Sequence, residues 1–466
     1  MINSVVAKAR VAQKEWAQVP VRTRAAIFLR FSKLVLAKQD QILDVIQEET
    51  HKNRLSAFEE LLDTVQLTHY YGRHAAGILK EHRRRGAFPI FTKTREVYRP
   101  VGVVGVITPW NYPFTLPATD IAPALIAGNA VVLLPDEMTP KIANLMLELM
   151  IEAGLPEGVV SIVHGGGRVH GSDLIKAVDF VMFTGSTATG RIVAKQCAER
   201  LIPFSAELGG KNPMLVLSDA DPVKAAHGAV RSCFSNSGQL CIAIERIYVV
   251  ENSYDEFLKH FVANTKAMKL GAGNDWEITM GPLISEKQFV RVRDQVNDAI
   301  AKGAKVEIGG KVRPDIAPTY YEPTILTNVS DEMELGRGET FGPVVAVYKV
   351  ANDAEAIARG NDTDYGLNSS VWGGAAAKRA AEQMESGSVN INEGFSAGFA
   401  SHDAPMGGMK TSGLGRRHGR EGLLKYTNSQ TISVQRIVGI APIGKQTNRA
   451  FAKLLTRLLG IWNKVS

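Results

Sequence analysis

The chain has 466 residues, two to three times the length of a typical domain, with 45% hydrophobic and 22% charged side chains. This balance excludes a disordered or fibrous chain and predicts a globular protein of two or more domains. Three cysteines are too few, and odd in number, for a disulfide framework, which favours a reducing, cytoplasmic setting. The first residues carry no secretory signal and no apolar run reaches about 18 residues, so we expect no membrane-spanning helix.

The net charge of +7 is concentrated at the C-terminal end of the chain. Residues 409–466 contain eleven basic side chains and a single acid, Glu421, so the rest of the chain is slightly acidic. No basic stretch interleaved with aromatic residues is present. Binding of nucleic acid is therefore not predicted.

The first half of the chain alternates between helical and strand patterns. Apolar residues at helical spacing predict two helices over residues 4–50 and a third over about 57–80. The basic, partly alternating residues 82–100 predict an exposed loop and a strand. Short apolar runs then predict buried strands, separated by helical patterns such as residues 141–154. These runs are residues 101–110, 129–135, 159–165 and 179–185. Strands that alternate with helices predict a parallel, doubly wound α/β sheet.

The pattern starts again after Leu208. A strand and turn at residues 212–222 precede a helix that we expect to carry Cys241. Further strands are predicted within residues 246–252, 344–350 and 387–392. A second α/β unit is therefore expected to reach about residue 408.

Cys241, Glu207 and the segment 183–190 each allow a chemical and a purely structural interpretation. Cys241 ends the stretch SNSGQLC and is either a nucleophile or a small buried side chain, as expected for Cys197 and Cys233. Glu207 precedes a Gly-Gly pair and is either a general base or a surface carboxylate. The segment FTGSTATG follows a predicted strand and either approaches a pyrophosphate or forms an ordinary turn.

Two further segments carry the same ambiguity. PWNYP, residues 109–113, either aims the Asn111 amide at an oxyanion or forms a rigid turn. ETFGPV, residues 339–344, offers a carboxylate and an aromatic ring for a ribose and a nicotinamide, or else leads into the next strand. Each segment alone is a modest signal.

Taken together and in this order, these segments resemble the aldehyde dehydrogenase superfamily. The matching stretches run from residue 108 to residue 416 and cover TPWNYP, FTGSTATG, ELGGKNP, SGQLC, ETFGPV and PMGGMKTSGLGR. The segment 400–427 looks most similar to actinobacterial succinate-semialdehyde dehydrogenases. Six ordered motifs make the resemblance specific for the superfamily.

The resemblance implies an aldehyde dehydrogenase-like α/β fold of three parts. A Rossmann-type NAD(P)-binding domain would comprise residues 1–81 and 101–209, and the catalytic domain residues 210–408. An oligomerisation β-arm would comprise residues 82–100 and 425–440, whose polar strands are expected to find an edge in a second subunit. A homodimer or homotetramer is therefore expected.

The resemblance also implies the catalytic roles. Cys241 would attack the aldehyde carbon to give a thiohemiacetal, which loses hydride to leave a thioester. Glu207 would activate the water that hydrolyses the thioester; acylating relatives that use coenzyme A lack this Glu. Asn111 and the backbone N–H of Cys241 would form the oxyanion hole. No metal ion is expected.

The implied cofactor contacts come from several segments. Glu339 would bind the nicotinamide ribose, Phe341 would pack beside the nicotinamide, and Gly185 and Ser186 would face the pyrophosphate. The full set of expected contacts is Thr108, Pro109, Trp110, Glu137, Gly185, Ser186, Leu208, Glu339 and Phe341.

Two positions depart from the family pattern. Leu134 stands where the family usually has a Lys that helps to hold the adenosine ribose or a 2′-phosphate, and Glu137 stands where relatives that prefer NAD place an acid. A carboxylate there should repel a 2′-phosphate, so we expect NAD in preference to NADP. Asp120 replaces a Lys that many relatives carry, and the sequence offers no explanation.

The substrate is the least constrained feature. Succinate semialdehyde is the first expectation, but Thr119 and Ser235 occupy the positions where better characterised relatives hold its carboxylate with Arg. Arg231 or His402 is a candidate replacement. The apolar entry segment YPFTLP, with Tyr112, Phe114 and Leu116, favours medium-chain aliphatic or aromatic aldehydes as the alternative. A catalytically silent binding protein is disfavoured because Cys241, Glu207 and Asn111 are all present.

The C-terminal residues 442–466 predict a basic amphipathic helix. Its apolar positions are Phe451, Leu454, Leu455, Leu458, Ile461, Trp462 and Val465, with Arg449, Lys453, Arg457 and Lys464 between them. Such a helix either lies on an anionic membrane surface or packs against its own domain or a partner subunit.

Overall fold

The computed structural model describes residues 1–86, 92–436, 441–442 and 444–463. The chain divides into two compact units, one of residues 1–78 and 100–427 and the other of residues 79–99 and 428–466. Lys464 and Val465 of the expected C-terminal helix lie outside the described residues.

The described residues form helices and strands with these bounds. The helices are α1 Ile2–Trp16, α2 Val21–Ala37, α3 Gln39–Thr50, α4 Arg54–Ile78, α5 Thr115–Ile126, α6 Pro140–Glu152, α7 Gly166–Ala177, α8 Thr187–Glu199, α9 Pro222–Phe234, α10 Glu251–Lys266, α11 Glu286–Ala301, α12 Glu334–Arg337, α13 Asp353–Asn361, α14 Ala375–Ala381, α15 Ser396–Phe399, α16 Gly419–Leu424 and α17 Asn448–Trp462. The strands are β1 His82–Arg84, β2 Thr92–Pro100, β3 Val103–Ile107, β4 Ala130–Leu134, β5 Val160–Ile162, β6 Phe180–Thr184, β7 Phe204–Glu207, β8 Asn212–Val216, β9 Ile244–Val250, β10 Lys305–Ile308, β11 Thr324–Thr327, β12 Val344–Val350, β13 Tyr365–Gly366, β14 Asn368–Trp372, β15 Ser388–Ile391, β16 Met409–Lys410, β17 Gly413–Leu414 and β18 Thr427–Gln435.

Three helices, α1 to α3, lie within residues 2–50, so the prediction of two helices over residues 4–50 is wrong. Pro20 is the N-cap of α2, because its fixed φ suits a helix start and its missing N–H costs nothing there. Lys38, with φ −107°, separates α2 from α3, and His51 ends α3 in the left-handed region with φ 59°. These local breaks interrupt an apolar pattern that otherwise continues at helical spacing.

The first sheet of the larger unit has the predicted doubly wound character. Its strand order is β17-β7-β6-β3-β4-β5, and every pair is parallel except β17 with β7. All residues of β3, β4 and β6 are buried, as expected for central strands covered by helices on both faces. The carboxyl ends of these strands therefore share one edge, where ligands bind in open α/β sheets.

The second sheet carries the residues that follow Leu208. Its order is β10-β11-β12-β9-β8-β14-β15, with only the edge pair β10–β11 antiparallel. Its core includes Phe234, Phe257 and Phe261, which stack between α9, α10 and the sheet. This packing fixes the end of α9, from which the chain continues to Cys241.

The smaller unit contains a three-stranded sheet of order β1-β2-β18 and the helix α17. The polar strands expected in the β-arm thus share one sheet, although far apart in sequence. Along α17 the basic residues Arg449, Lys453 and Arg457 alternate with apolar ones such as Leu454 and Leu458. Among the described residues, no helix is long and apolar enough to cross a membrane.

Candidate active site

Cys241 lies in a turn, so the prediction that a helix carries it is wrong. Helix α9 ends at Phe234, and a 3-10 turn, Ser235–Gly238, follows. Asn236 and Ser237 have φ values of 50° and 57°, in the left-handed region that stops a helix. Gly238 also has a positive φ, and a Cβ there would lie 2.0 Å from the carbonyl oxygen of Gly342. The chain therefore reaches Cys241 through a tight turn that requires glycine.

The thiol of Cys241 packs against an apolar cluster, which we call the Cys241 wall. Its members are Tyr112, Leu116, Leu240, Ile242, Ala243, Leu367, Phe395, Phe399 and Met406. Burial raises the pKa of the Cys241 thiol to about 12, with smaller contributions from the charges of Glu207 and Glu339. The thiol is thus protonated at neutral pH until a base removes its proton.

The Gly-Gly pair after Glu207 lies between two other site residues. A Cβ on Gly209 would lie 2.6 Å from the carboxylate oxygens of Glu339, and one on Gly210 would lie 2.8 Å from the backbone oxygen of Cys241. Glycine at both positions therefore allows the segments of Glu207, Glu339 and Cys241 to approach one another. Cys197 and Cys233, by contrast, are buried within α8 and α9, as expected.

Asn111 lies in the bend between β3 and α5, and it is buried. Its side-chain Nδ2 donates to the backbone oxygen of Gln239, 3.1 Å away, two residues before Cys241. Its backbone oxygen accepts from Lys52 Nζ at 2.6 Å and from Asn236 Nδ2 at 3.2 Å. No described residue hydrogen-bonds its Oδ1. The amide is therefore held against the turn that presents Cys241.

Lys52 is a site residue that the sequence did not reveal. It is 2% exposed and forms an ion pair of 2.7 Å with Glu60, which also accepts the backbone N–H of Phe114 at 2.8 Å. The ammonium group also lies 4.2 Å from the centre of the Tyr112 ring. This buried pair links α4 to the Asn111 bend. No motif marked it, because its contacts with Asn111 and Tyr112 join segments that are distant in sequence.

Glu207 ends strand β7, which pairs with β17 at Gly413. Its side chain is buried, and no described residue hydrogen-bonds its Oε1. Burial raises its pKa to about 7, while the positive charges of Arg417 and Lys425 lower it. A carboxyl group with this pKa can exchange a proton near neutral pH.

The structure explains the unexpected Asp120. It forms a buried ion pair with Arg417, whose Nε lies 3.3 Å from Asp120 Oδ1, and Lys425 Nζ is 3.7 Å from the same oxygen. The hydroxyl of Tyr426 donates to it at 3.2 Å. An acid at position 120 is thus compensated by the buried Arg417 and the partly buried Lys425, and no sequence motif predicts this role for either cation.

The ETFGPV segment is fixed by a second buried ion pair that the sequence did not reveal. Glu245 Oε2 lies 2.6 Å from Lys211 Nζ, and its carboxylate accepts the backbone N–H groups of Thr340 and Phe341. Glu339 Oε1 in turn accepts the backbone N–H of Gly210 at 2.8 Å. Burial raises the pKa of Glu339 to about 7.

The aromatic members of the expected cofactor site contact each other. The rings of Trp110 and Phe341 lie 5.6 Å apart at 84°, so the bend after β3 meets the ETFGPV segment. Phe341 has a φ of 56°, a strained value that the two hydrogen bonds to Glu245 maintain. These contacts present an aromatic surface beside the Glu339 carboxylate.

The other expected cofactor residues cluster where β3, β4 and β6 end. Ser186 caps α8, with its Oγ 3.3 Å from the backbone N–H of Thr189, and Gly185 N–H donates to the Glu207 backbone oxygen. A Cβ on Gly190 would lie 2.5 Å from the side chain of Leu208, so Leu208 packs closely on this glycine. Thr108 N–H donates to the backbone oxygen of Leu134. Pro109 follows Thr108 in the same loop.

Glu137 is exposed beside the turn that begins α7. Its Oε2 would lie 3.5 Å from a Cβ on Gly166. Together with the N-terminus of α8, which Ser186 caps, and the glycines at the strand ends, this edge offers backbone N–H groups, an acid and an aromatic surface. The residues present therefore fit a nicotinamide dinucleotide.

Arg231 and His402 differ as carboxylate anchors. Arg231 forms an ion pair of 3.1 Å with Glu59, and its guanidinium lies 5.5 Å from the centre of the Phe395 ring in the Cys241 wall. Glu59 also accepts the hydroxyl of Tyr112 at 3.3 Å. Burial lowers the pKa of His402 to about 4, so its imidazole is neutral at pH 7. Arg231 is therefore the cation of the two.

These features define an α/β enzyme. Its two sheets are largely parallel, and the turn that carries Cys241 lies next to the sheet edge that fits a dinucleotide. The aldehyde dehydrogenase family model matches residues 1–432, and the chain belongs to this family. It is 52% identical, over 95% of this chain and 86% of the other, to a Mycolicibacterium smegmatis protein provisionally named succinate-semialdehyde dehydrogenase of the NADP(+) type.

Solved structures agree with this assignment. Betaine aldehyde dehydrogenase from Staphylococcus aureus in complex with NAD+ superposes with a TM-score of 0.89 at 32% identity, over 95% of this chain and 88% of that chain. An NADP-dependent enzyme from E. coli gives the same TM-score and identity over 93% and 90%. The predicted aldehyde dehydrogenase-like fold is thus confirmed.

Proposed function

We propose that the protein oxidises an aldehyde to its carboxylic acid through a covalent intermediate on Cys241. The observation that carries this proposal is the convergence of three groups on one turn. The Asn111 amide reaches the backbone of the turn, and the charge of Glu207 raises the pKa of the thiol. A thiol, an amide donor and a buried carboxylate are the groups that attack, oxyanion stabilisation and water activation require.

In the first step the Cys241 sulfur attacks the aldehyde carbon and the thiol proton goes to a base. Glu207 is the proposed acceptor, because its pKa of about 7 lets it take a proton near neutral pH. The carbonyl oxygen becomes the oxyanion of a thiohemiacetal. The Asn111 side chain and the backbone N–H of Cys241 donate to this oxyanion.

Collapse of the thiohemiacetal requires a hydride acceptor, which a bound nicotinamide dinucleotide supplies. Glu339 would hold its ribose, Phe341 would pack beside its nicotinamide, and Gly185 and Ser186 would face its pyrophosphate. The thioester that remains on Cys241 is then attacked by water. Glu207 first releases the thiol proton to solvent and then takes a proton from this water. The C–S bond breaks, the acid leaves, and the proton on Glu207 returns to the thiolate.

We propose succinate semialdehyde as the substrate. The relative from M. smegmatis carries this substrate in its name, and Arg231 provides a cation at the Cys241 wall. The apolar character of the wall, with Leu116 and Met406, favours medium-chain aliphatic or aromatic aldehydes as the alternative. A panel of succinate semialdehyde, butanal and benzaldehyde, each with NAD and NADP, separates these possibilities. A kcat/KM for succinate semialdehyde below that for butanal would favour the alternative.

We further propose that the β-arm joins copies of the chain. Strand β18 lies at one edge of the three-stranded sheet and is largely exposed, and exposed edge strands pair readily. A homodimer or homotetramer is expected, and light scattering of the eluting protein measures its mass. Monomeric protein at micromolar concentration would contradict the proposal.

For α17 we propose contact with an anionic membrane surface. The helix carries Arg449, Lys453 and Arg457 and no acid, which suits such a surface. Full-length protein and a 1–441 truncation are compared by co-sedimentation with vesicles of neutral lipid or of neutral plus anionic lipid. Binding by the full-length protein to anionic vesicles alone is expected, and equal binding by the truncation would refute the proposal.

A further inference from the structure

Three buried side chains outside the proposed catalytic set come together next to the Cys241 wall. Asp63 lies on α4, His402 follows α15, and His418 is the N-cap of α16. One potential ligand atom from each lies within 4.8 Å of the others. Their exposed fractions are 5%, 8% and 3%.

Each of the three side chains has one potential ligand atom that lacks a hydrogen-bond partner within the described part of the chain. Nothing there hydrogen-bonds Asp63 Oδ1, His402 Nδ1 or His418 Nδ1. Asp63 Oδ1 lies 3.8 Å from His402 Nε2, too far for a hydrogen bond. A buried polar atom without a partner costs free energy, so an absent partner is expected here.

Neither Arg417 nor Lys52 forms an ion pair with the Asp63 carboxylate, although the charge of Arg417 acts on it. Arg417 forms its ion pair with Asp120, and Lys52 forms its ion pair with Glu60. Asp63 itself accepts one hydrogen bond of 2.5 Å at Oδ2, from the hydroxyl of Thr115. A cation at Oδ1 would neutralise the remaining negative charge.

Neighbouring side chains hold two of the three candidate ligands in place. The Asp63–Thr115 hydrogen bond fixes the carboxylate, and His402 Nε2 lies 3.1 Å from Gln66 Oε1. Groups of this kind orient ligands in metal centres.

We propose that Asp63, His402 and His418 bind a divalent transition-metal ion of the Zn²⁺ type. Two imidazoles and one carboxylate are a common ligand set for such ions, with water completing the shell. Metal–ligand bonds of about 2.1 Å require the ligand atoms to close to roughly 3.4 Å from one another, so the side chains have to move together on binding.

The proposed ion would connect α4 to the segment between the two histidines. That segment carries Met406 of the Cys241 wall and Gly413, which pairs with Glu207. The ring of Phe399, another wall member, lies 5.8 Å from that of His418. The role of the ion is therefore structural, since it holds one side of the catalytic site in place.

The test is a Zn²⁺ titration of chelator-treated full-length protein against a fluorescent competitor, with stoichiometry confirmed by elemental analysis. One ion per chain is expected. Asp63→Asn and His418→Gln should each weaken binding by at least about 100-fold, whereas the exposed His227→Gln serves as a matched control with unchanged affinity.

Binding at the catalytic thiol is separated from binding at this site by the Cys241→Ser variant, which should still take up one ion. A rise in melting temperature on addition of Zn²⁺ is expected for wild type and not for His418→Gln. Absence of stoichiometric binding in Cys241→Ser, or binding unchanged in both site variants, would overturn the proposal. The Cys241→Ser titration still tests whether one ion binds outside the thiol if a site variant does not fold.

Discussion

Arg417 and Asp120 form a buried ion pair, and the charges of both residues act on the carboxyl group of Glu207. Arg417 lowers the pKa of Glu207, whereas Asp120 raises it. The pair therefore helps to set the pH at which the proposed base becomes active. It also explains how the fold accepts an acid at position 120.

Replacement of Arg417 by Met should move the acid limb of kcat to higher pH. Glu207 loses a favourable positive charge while Asp120 remains, so its pKa rises above about 7 and the ionised base appears later on the pH scale. A displacement of about one pH unit or more is expected from pH–rate profiles. Arg417→Lys is the matched control, because it retains the charge.

Asp120→Asn provides the opposite test. It removes a negative neighbour of Glu207, so the pKa of the base falls and the acid limb moves to lower pH. Both variants break a buried pair, which costs about 3–5 kcal/mol of folding free energy, so unfolding by denaturant is measured in parallel. Shifts in the same direction for both variants would contradict this account of the pair.

Cys241→Ala should abolish aldehyde-dependent NADH formation, and Glu207→Gln should slow both halves of the reaction, because Glu207 takes a proton from the thiol and later from water. Loss of the base should slow each proton transfer by about 10²–10⁴-fold, and a thioester on Cys241 accumulates where hydrolysis is the slower half. Intact-protein mass spectrometry detects the added acyl group. Turnover that survives Cys241→Ala would refute covalent catalysis, and full turnover in Glu207→Gln would refute the role of the base.

The fold and the order of the six motifs could be predicted from the sequence. The apolar runs at 101–110, 129–135 and 179–185 did become buried parallel strands, because central strands of such sheets are apolar along their whole length. The helix expected at Cys241 was wrong, since the left-handed conformations of Asn236 and Ser237 have no periodic signature.

The supporting ion pairs could not be predicted from the sequence. Lys211 with Glu245 and Arg417 with Asp120 join segments that are distant in the sequence. Lys52 and Glu60 are near each other in the sequence, but they meet the Asn111 bend only in the folded chain. A pattern of apolar residues identifies the face that is buried, but it does not say which buried charge meets which partner.

Arg231→Leu should weaken the binding of succinate semialdehyde more than the binding of butanal. The two aldehydes have the same chain length, so the difference isolates the carboxylate, which the Arg231 guanidinium would pair. A 10- to 100-fold rise in KM for succinate semialdehyde with little change in kcat is expected, and butanal should be nearly unaffected. Equal effects on both substrates would assign Arg231 a purely structural role.

Glu59→Gln should have the opposite effect on the same substrate. Glu59 now holds Arg231 in an ion pair of 3.1 Å, and its negative charge opposes a second carboxylate. The variant frees the guanidinium, so the KM for succinate semialdehyde should fall by several-fold. If wild type itself prefers butanal, the substrate proposal fails; if it prefers succinate semialdehyde while both variants leave that preference unchanged, only the role of Arg231 fails.

Glu137→Lys should shift the cofactor preference toward NADP. The exposed carboxylate beside Gly166 would repel a 2′-phosphate, and position 134 at the end of β4 carries Leu instead of a cation. We therefore propose that wild type prefers NAD, although the M. smegmatis relative is named for NADP(+).

The ratio of kcat/KM for NADP to that for NAD should rise by about 10-fold or more in the variant, since one reversed charge is worth roughly 1.4 kcal/mol or more at such a contact. Glu137→Gln is the control that removes charge without reversing it and should give an intermediate ratio. A wild-type enzyme that favours NADP, with a ratio insensitive to both variants, would place the discrimination elsewhere on the nucleotide edge.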